Sequence, residues 1–144
     1  MAKSLTGANA VMLLSIPPLY AIAQQLQRFS ADDVTDFDPI KPAEILTGVD
    51  GHMSAGWIFV PVPQKITLQA DSDSNALFEN WYASNEAIQD IYFAQGILRL
   101  PGVQRSYALT NGVLTSHKPV PDVKKLLQPR MYEITWESIV AAPI

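Results

Sequence analysis

The side chains best placed to do chemistry in this chain are oxygen donors, and they gather in the run Asp71-Ser72-Asp73-Ser74-Asn75. Such an alternation opens calcium loops of the EF-hand type, which also need glycine at the sixth position and a bidentate acid at the twelfth. Those positions hold Ala76 and Tyr82, so the run reads instead as a set of helix N-cap candidates. The two histidines, His52 and His117, stand far apart in sequence and neither has metal-ligand spacing. Asp36 with Asp38, or Glu133 with Glu137, could be drawn as a hydrolase dyad. Pairs of that kind arise by chance among fourteen acids. A nucleophile elbow is absent, and there is no cysteine to act as a nucleophile. The turn Gly48-Val49-Asp50-Gly51 lacks the lysine and glycine spacing of a phosphate loop. The residues therefore give no enzymatic reading, no cofactor and no metal site. The aromatics Trp57, Trp81, Tyr82, Tyr92, Phe93 and Trp136 could line a sugar platform, but the helical spacing of Trp81 and Tyr82 favours a core role. Trp57 and Trp136 are the less decided of the six.

A chain of 144 residues corresponds to a single domain, long enough to bury roughly 70% of its unfolded surface without metals or disulfides. The absence of cysteine excludes disulfide staples and fits a reducing compartment. A net charge of −4 argues against a phosphate-gripping surface, which needs clustered Lys and Arg. Residues 1–60 carry three Lys or Arg against six Asp or Glu, so most of the imbalance is N-terminal. Lys3, the apolar run Ala10 to Ile16 and the triplet Ala21-Ile22-Ala23 outline a signal peptide. Pro17 and Pro18 split that run, which is better read as a first strand. No apolar stretch approaches the ~20 residues of a membrane-spanning helix.

The elements that must position these residues are mostly strands. Val11 to Ile16 and Ala21 to Phe29 read as strands joined at Pro17-Pro18, with a helix as the alternative for the second because Ala, Gln and Leu are good helix formers, and Ser30 to Asp38 reads as a solvated edge or loop. Glu44 to Thr47 leads into the turn at Gly48. Trp57-Ile58-Phe59-Val60 and Lys65 to Ala70 are expected to pair around Pro61-Val62-Pro63. One helix is expected over about residues 73–88, with Leu77, Phe78, Trp81 and Tyr82 on one face. Strands follow over Ile91 to Leu100 and Val103 to Leu109, with Asn111-Gly112 as a hairpin signal and Val113 to Ser116 as the return strand. Pro119 to Gln128 reads as a short helical turn, and Arg130 to Val140 as the closing strand. The expected fold class is mainly β, a β-sandwich or barrel with one packed α-helix and extended loops used in assembly.

The layout resembles that of bacteriophage tail tube proteins of long contractile-tailed phages. Four stretches carry the likeness: Ala10 to Ser15; Leu46-Thr47-Gly48-Val49-Asp50-Gly51; the strand-to-helix step Lys65 to Tyr82; and Gly112-Val113-Leu114 to Trp136. The last includes Pro121-Asp122-Val123-Lys124 and Tyr132-Glu133-Ile134-Thr135-Trp136. The resemblance implies six copies in a ring, rings stacked into a tube, and an inner β-barrel wall through which the genome passes without specific binding. It also implies a sheath protein outside, baseplate and terminator proteins at the ends, and a place in the virion tail after assembly in the host cytoplasm. Within such a tube, Asp32, Asp33, Asp36 and Asp38 are candidates for lumen or rim charge, since negative charge repels DNA phosphates. Gly48, Asp50, Gly51, His52, Met53 and Ser54 are candidates for a ring-to-ring contact loop. The alternative is a carbohydrate-binding or receptor-facing β-sandwich module of a phage appendage.

Overall fold

The fold, taken from a computed structural model that describes residues 5, 10–17, 19–29 and 35–144, is built from nine strands and one α-helix among those residues. They run β1 (Val11–Ile16), β2 (Tyr20–Gln25), β3 (Thr35–Phe37), β4 (Ala43–Thr47), β5 (Met53–Trp57), β6 (Val62–Leu68), α1 (Asn75–Ile88), β7 (Ala94–Leu100), β8 (Arg105–His117) and β9 (Arg130–Pro143). Seven strands form one antiparallel sheet in the order β2-β1-β7-β8-β9-β6-β3, while β4 and β5 pair only with each other. The mainly β expectation with one helix holds. The sheet is open, with β2 and β3 as its edges, so it does not take the barrel form.

Alternation places the core. In β1 the buried residues are Met12, Leu14 and Ile16. In β6 they are Val62, Gln64, Ile66 and Leu68, and in β9 Arg130, Tyr132, Ile134 and Trp136. A period of two puts each set on one face of the sheet. Helix α1 covers that face with Leu77, Phe78 and Trp81. The Phe78 ring stacks on Tyr132 at 4.2 Å, and Trp81 Nε1 donates to the Tyr92 carbonyl at 2.9 Å. Tyr82, expected on the same face, is half exposed and lies instead against His117.

The serines before the helix do not act as the expected caps. Ser74 is the N-cap residue, but its hydroxyl makes no capping bond; it accepts from the Gln27 amide at 2.9 Å. Ser72 Oγ donates to the Gln27 carbonyl, and Arg28 pairs with Asp71 at 2.6 Å. The run thus latches the helix start to the chain following β2. Asn75 completes the latch, donating to the Gln69 carbonyl at 3.0 Å and accepting from Tyr132 Oη at 2.9 Å.

Three further expectations are corrected. The strand paired with Lys65 to Ala70 is not Trp57 to Val60: β6 pairs with β9 and β3, while β5 pairs with β4 across Gly48-Gly51. Pro61 and Pro63 do not make a hairpin turn because each five-residue strand of the β4–β5 pair already has its partner. Asn111-Gly112 is not a hairpin either, since β8 runs through it without a break. Asn111 does adopt the positive φ (49°) that its type favours, but in a bulge against β7, where Ala94 faces Gly112 and Gly96 faces Leu109. Its amide and side chain are bound by Gln95, at 3.3 and 2.8 Å, and its Nδ2 donates to Glu137. The segment after His117 forms no helix; a lone bridge joins Val123 to Leu127.

Arg130 anchors that segment. It is nearly fully buried, donating to the carbonyls of Lys118 (2.8 Å) and Pro119 (3.0 Å) and to Glu79 of α1 (2.6 Å). Removing the guanidinium leaves three acceptors without this donor, at ~1–3 kcal/mol for each that water does not reach. Arg130→Ala is therefore expected to lower the unfolding free energy in urea by on the order of 3 kcal/mol. A loss below ~1 kcal/mol would mean that water replaces the guanidinium.

Candidate assembly surfaces

The β4–β5 hairpin is exposed along both of its strands. Its turn is closed by Gly48 N–H to the His52 carbonyl at 2.8 Å and Gly51 N–H to the Gly48 carbonyl at 3.0 Å. Asp50 Oδ1 accepts from the His52 amide at 3.1 Å. Glycine is favoured at Gly51, whose φ of +85° is a left-handed conformation that a side chain strains. Of the residues expected in a contact loop, Gly48, Asp50, Gly51 and His52 make the turn, while Met53 and Ser54 begin β5 opposite Thr47 and Leu46. The structure brings them together at the tip of an arm rather than in an open loop.

Large apolar side chains clothe that arm. Leu46 is 72% exposed, Trp57 70% and Phe59 93%, and Val49 at the tip is fully exposed. Trp57 and Phe59 meet edge to face at 6.5 Å and touch none of the core. An isolated two-stranded hairpin is at best marginal in water, and large exposed apolar side chains on one, with Ile45, Met53 and Trp57 on one face of the pair and Leu46 on the other, mark a contact surface. Two strands of equal length flanking Gly-Val-Asp-Gly were the available signal. The other aromatics do not form a platform. Trp81 and Trp136 are fully buried, and Phe93 is half exposed on its own.

Of the acidic candidates, Asp36 and Asp38 are exposed at the edge strand β3 and just after it, with Asp36 facing Lys65 across the β3–β6 pair. Asp32 and Asp33 lie outside the described residues. Among the described residues, further polar groups line the sheet on β8 and β9. Thr115 Oγ1 is 3.2 Å from Thr135 Oγ1 and bonds to the Glu133 carbonyl, and Glu137 accepts from Asn111. Among the described residues, no helix is long and apolar enough to cross a membrane.

One titratable group sits where helix and sheet meet. His117 stacks on Tyr82 at 4.7 Å, and its Nδ1 is buried without a hydrogen-bond partner. Burial first, and the Arg130 charge second, lower its pKa, while Glu79 opposes them weakly. Since protonation then favours the unfolded chain, stability is full above the ordinary histidine value of 6.5 and falls as pH drops through and below it. A urea midpoint that declines between pH 8 and pH 5 is expected, with the decline reduced in His117→Phe; equal slopes for both proteins would refute it. Tyr132, pushed up to about 12 chiefly by burial, adds the opposite limb: stability is lost as pH rises above 10.

A family model described as Tail fiber protein gp32 matches residues 3–140. No curated protein matches the chain in sequence. Among solved structures, the fold is similar to a chain of the anti-feeding prophage cap, the AFP tube-terminating cap. That match has a TM-score of 0.65 and 12% identity, covering 100% of this chain and 94% of the other. It is also similar to a chain of the sheath–tube complex of the extracellular contractile injection system PVC in its extended state, at TM-score 0.61 and 10% identity, covering 92% and 88%. A chain of the AFP baseplate matches at TM-score 0.60 and 7% identity, covering 99% and 98%. At these identities the likeness is one of fold. The family match covers nearly the whole chain, and the resemblance to tail tube proteins is met at the coarser level of a tail component: the chain belongs to the tail fiber protein gp32 family and is a phage-like tail protein.

Proposed function

We propose that this protein is a structural subunit of the tail tube, assembling as one domain into hexameric rings that stack into the conduit for DNA ejection. The observation that carries the reading is the β4–β5 arm, whose apolar side chains cover nothing of their own chain. Exposed apolar arms and open sheet edges both call for a neighbouring subunit. The fold shared with a chain of a sheath–tube complex supports the tube role, and those shared with cap and baseplate chains support contacts at the tube ends. A sheath protein then lies outside, assembly takes place in the host cytoplasm, and the role is mechanical rather than enzymatic. Asp36 and Asp38 face the lumen or its rim, and the acidic run that also holds Asp32 and Asp33 repels DNA phosphates there.

Sedimentation with negative-stain electron microscopy tests the proposal. Hollow rings or tubes of uniform width are expected, and a stable monomer at high concentration would overturn it. Converting the four aspartates to asparagine is expected to leave tubes intact, whereas loss of tubes would move these residues into a subunit interface. A second reading, a receptor-facing appendage module, is favoured by the tail-fibre description of the family. It predicts a monomer or small closed oligomer that responds to a glycan panel.

A further inference from the structure

The core face of the sheet is not fully covered. Beyond the helix, a cavity of about 440 Å³ is walled by Phe37, Leu98, Leu100, Tyr107, Ile139 and Ala141. Phe37 of β3 and Leu98 of β7 stand four places apart in the sheet order, so the sheet curls to bring them to one cavity. Ile40 and Val62 complete the wall, and they are the residues at which the chain leaves for the arm and returns from it. Five-residue strands at ~3.4 Å per residue put the arm's tip about 17 Å from its root. With the arm exposed along its length, a protomer's own tip does not fill its own cavity.

We propose that the cavity seats the arm tip of a second copy of this chain, with Val49 inserted against Tyr107 and Ala141, and with Leu46 and Met53, which leave opposite faces of the hairpin, meeting its mouth from either side. Deepening the self-assembly reading, and resting on it, this assigns both halves of one subunit contact. The charges agree with it. The arm, residues 43–57, carries Glu44 and Asp50 and no Lys or Arg. Arg105 lies two residues from Tyr107 on β8, hence on the same face, exposed and without an ion pair among the described residues. Asp38 also lines the cavity. The deep position therefore falls to apolar Val49, with Asp50 turned towards Arg105. Tip and cavity are different patches of one surface, so the contact is heterologous and propagates from copy to copy, closing into a ring or continuing along a stack.

The absence of cysteine allows a clean test. Val49→Cys and Ala141→Cys are introduced together and separately, and the assembled protein is oxidised with diamide. The double variant is expected to give a ladder of disulfide-linked multimers on non-reducing gels, a mixture of the single variants a dimer, and each single variant alone only monomer. As a second measurement, Ala141→Trp, which fills the cavity, is expected to reduce sedimenting assemblies by about tenfold or more at fixed concentration while keeping the monomer's melting temperature. Tubes that form normally with Ala141→Trp, or assembled tubes that yield no cross-link, would overturn this seat and leave tube assembly standing. Wild-type protein that never assembles would overturn both readings.

Discussion

Trp136→Ala is expected to lower the unfolding free energy by about 4 kcal/mol, the middle of the usual range for removing a buried tryptophan. Trp136 is fully buried and its Nε1 donates to Gln64 Oε1 at 2.8 Å. Gln64 is itself fully buried and passes the network on, donating to Thr35 Oγ1 at 2.7 Å. Truncation therefore opens a cavity and strands a buried amide oxygen at the same time. The indole also shapes the strands around it. A Cβ on Gly112 would fall 2.6 Å from Trp136 Cζ3, and one on Gly96 3.1 Å from Cη2. Both glycines are flat ground for the ring, and Gly112→Ala is expected to cost ~1–3 kcal/mol by overpacking. For a protein of this length the tryptophan loss corresponds to a melting temperature lowered by roughly 10 °C. Trp136→Phe separates the two causes, since it restores much of the volume and none of the hydrogen bond. A Trp136→Ala loss below ~2 kcal/mol would mean that the neighbouring strands collapse into the space.

The same residue shows where sequence reading succeeds and fails. The apolar run before Pro17-Pro18 marked β1, the branched and aromatic residues of Arg130 to Val140 marked β9, and the 3.6-residue period marked α1, because each buries one face against a single partner layer. Strand pairing was less legible. Asn111-Gly112 has the composition of a two-residue hairpin, yet its glycine serves the Trp136 ring and its asparagine serves a bulge. That distinction depends on a residue 24 positions away. The serines of the Asp71 to Asn75 run have the residue type of caps for the helix that follows, whereas their hydroxyls bind Gln27, far behind them in the chain. The candidate site was legible in part. Gly48 to Ser54 stood out through turn chemistry, but the apolar surface of the arm did not. Leu46, Val49 and Trp57 have the residue types of a core, and only the fold shows that they touch none of it.

Replacing the arm is expected to abolish assembly while leaving the subunit folded. The two effects separate because the arm's root is already closed: the Ile58 amide donates to the Pro42 carbonyl at 2.8 Å. Residues 43–57 can therefore be exchanged for an Asn-Gly turn without moving β6 or the chain after β3. Every residue of β4 and β5 is exposed, so the monomer loses little buried apolar area, and its melting temperature is expected to stay within a few degrees of the parent. Assembly loses far more. At ~25 cal/mol per Å², covering Leu46, Val49, Met53 and Trp57 would supply several kcal/mol per contact, and that contribution recurs at every subunit in a ring or stack. Sedimentation velocity at matched concentration reads the difference directly: a single slow species is expected for the exchanged protein and fast, polydisperse species for the parent. A milder variant, Leu46→Asp with Val49→Asp, keeps the hairpin and alters only its chemistry, and the same loss is expected from it. If the double aspartate variant assembles while the exchanged protein does not, the arm acts through its backbone, as a strand added to a neighbour's open edge at β2 or β3. If both assemble, the sheet edges alone hold the tube together, and the exposed apolar face of the arm belongs to a different tail protein.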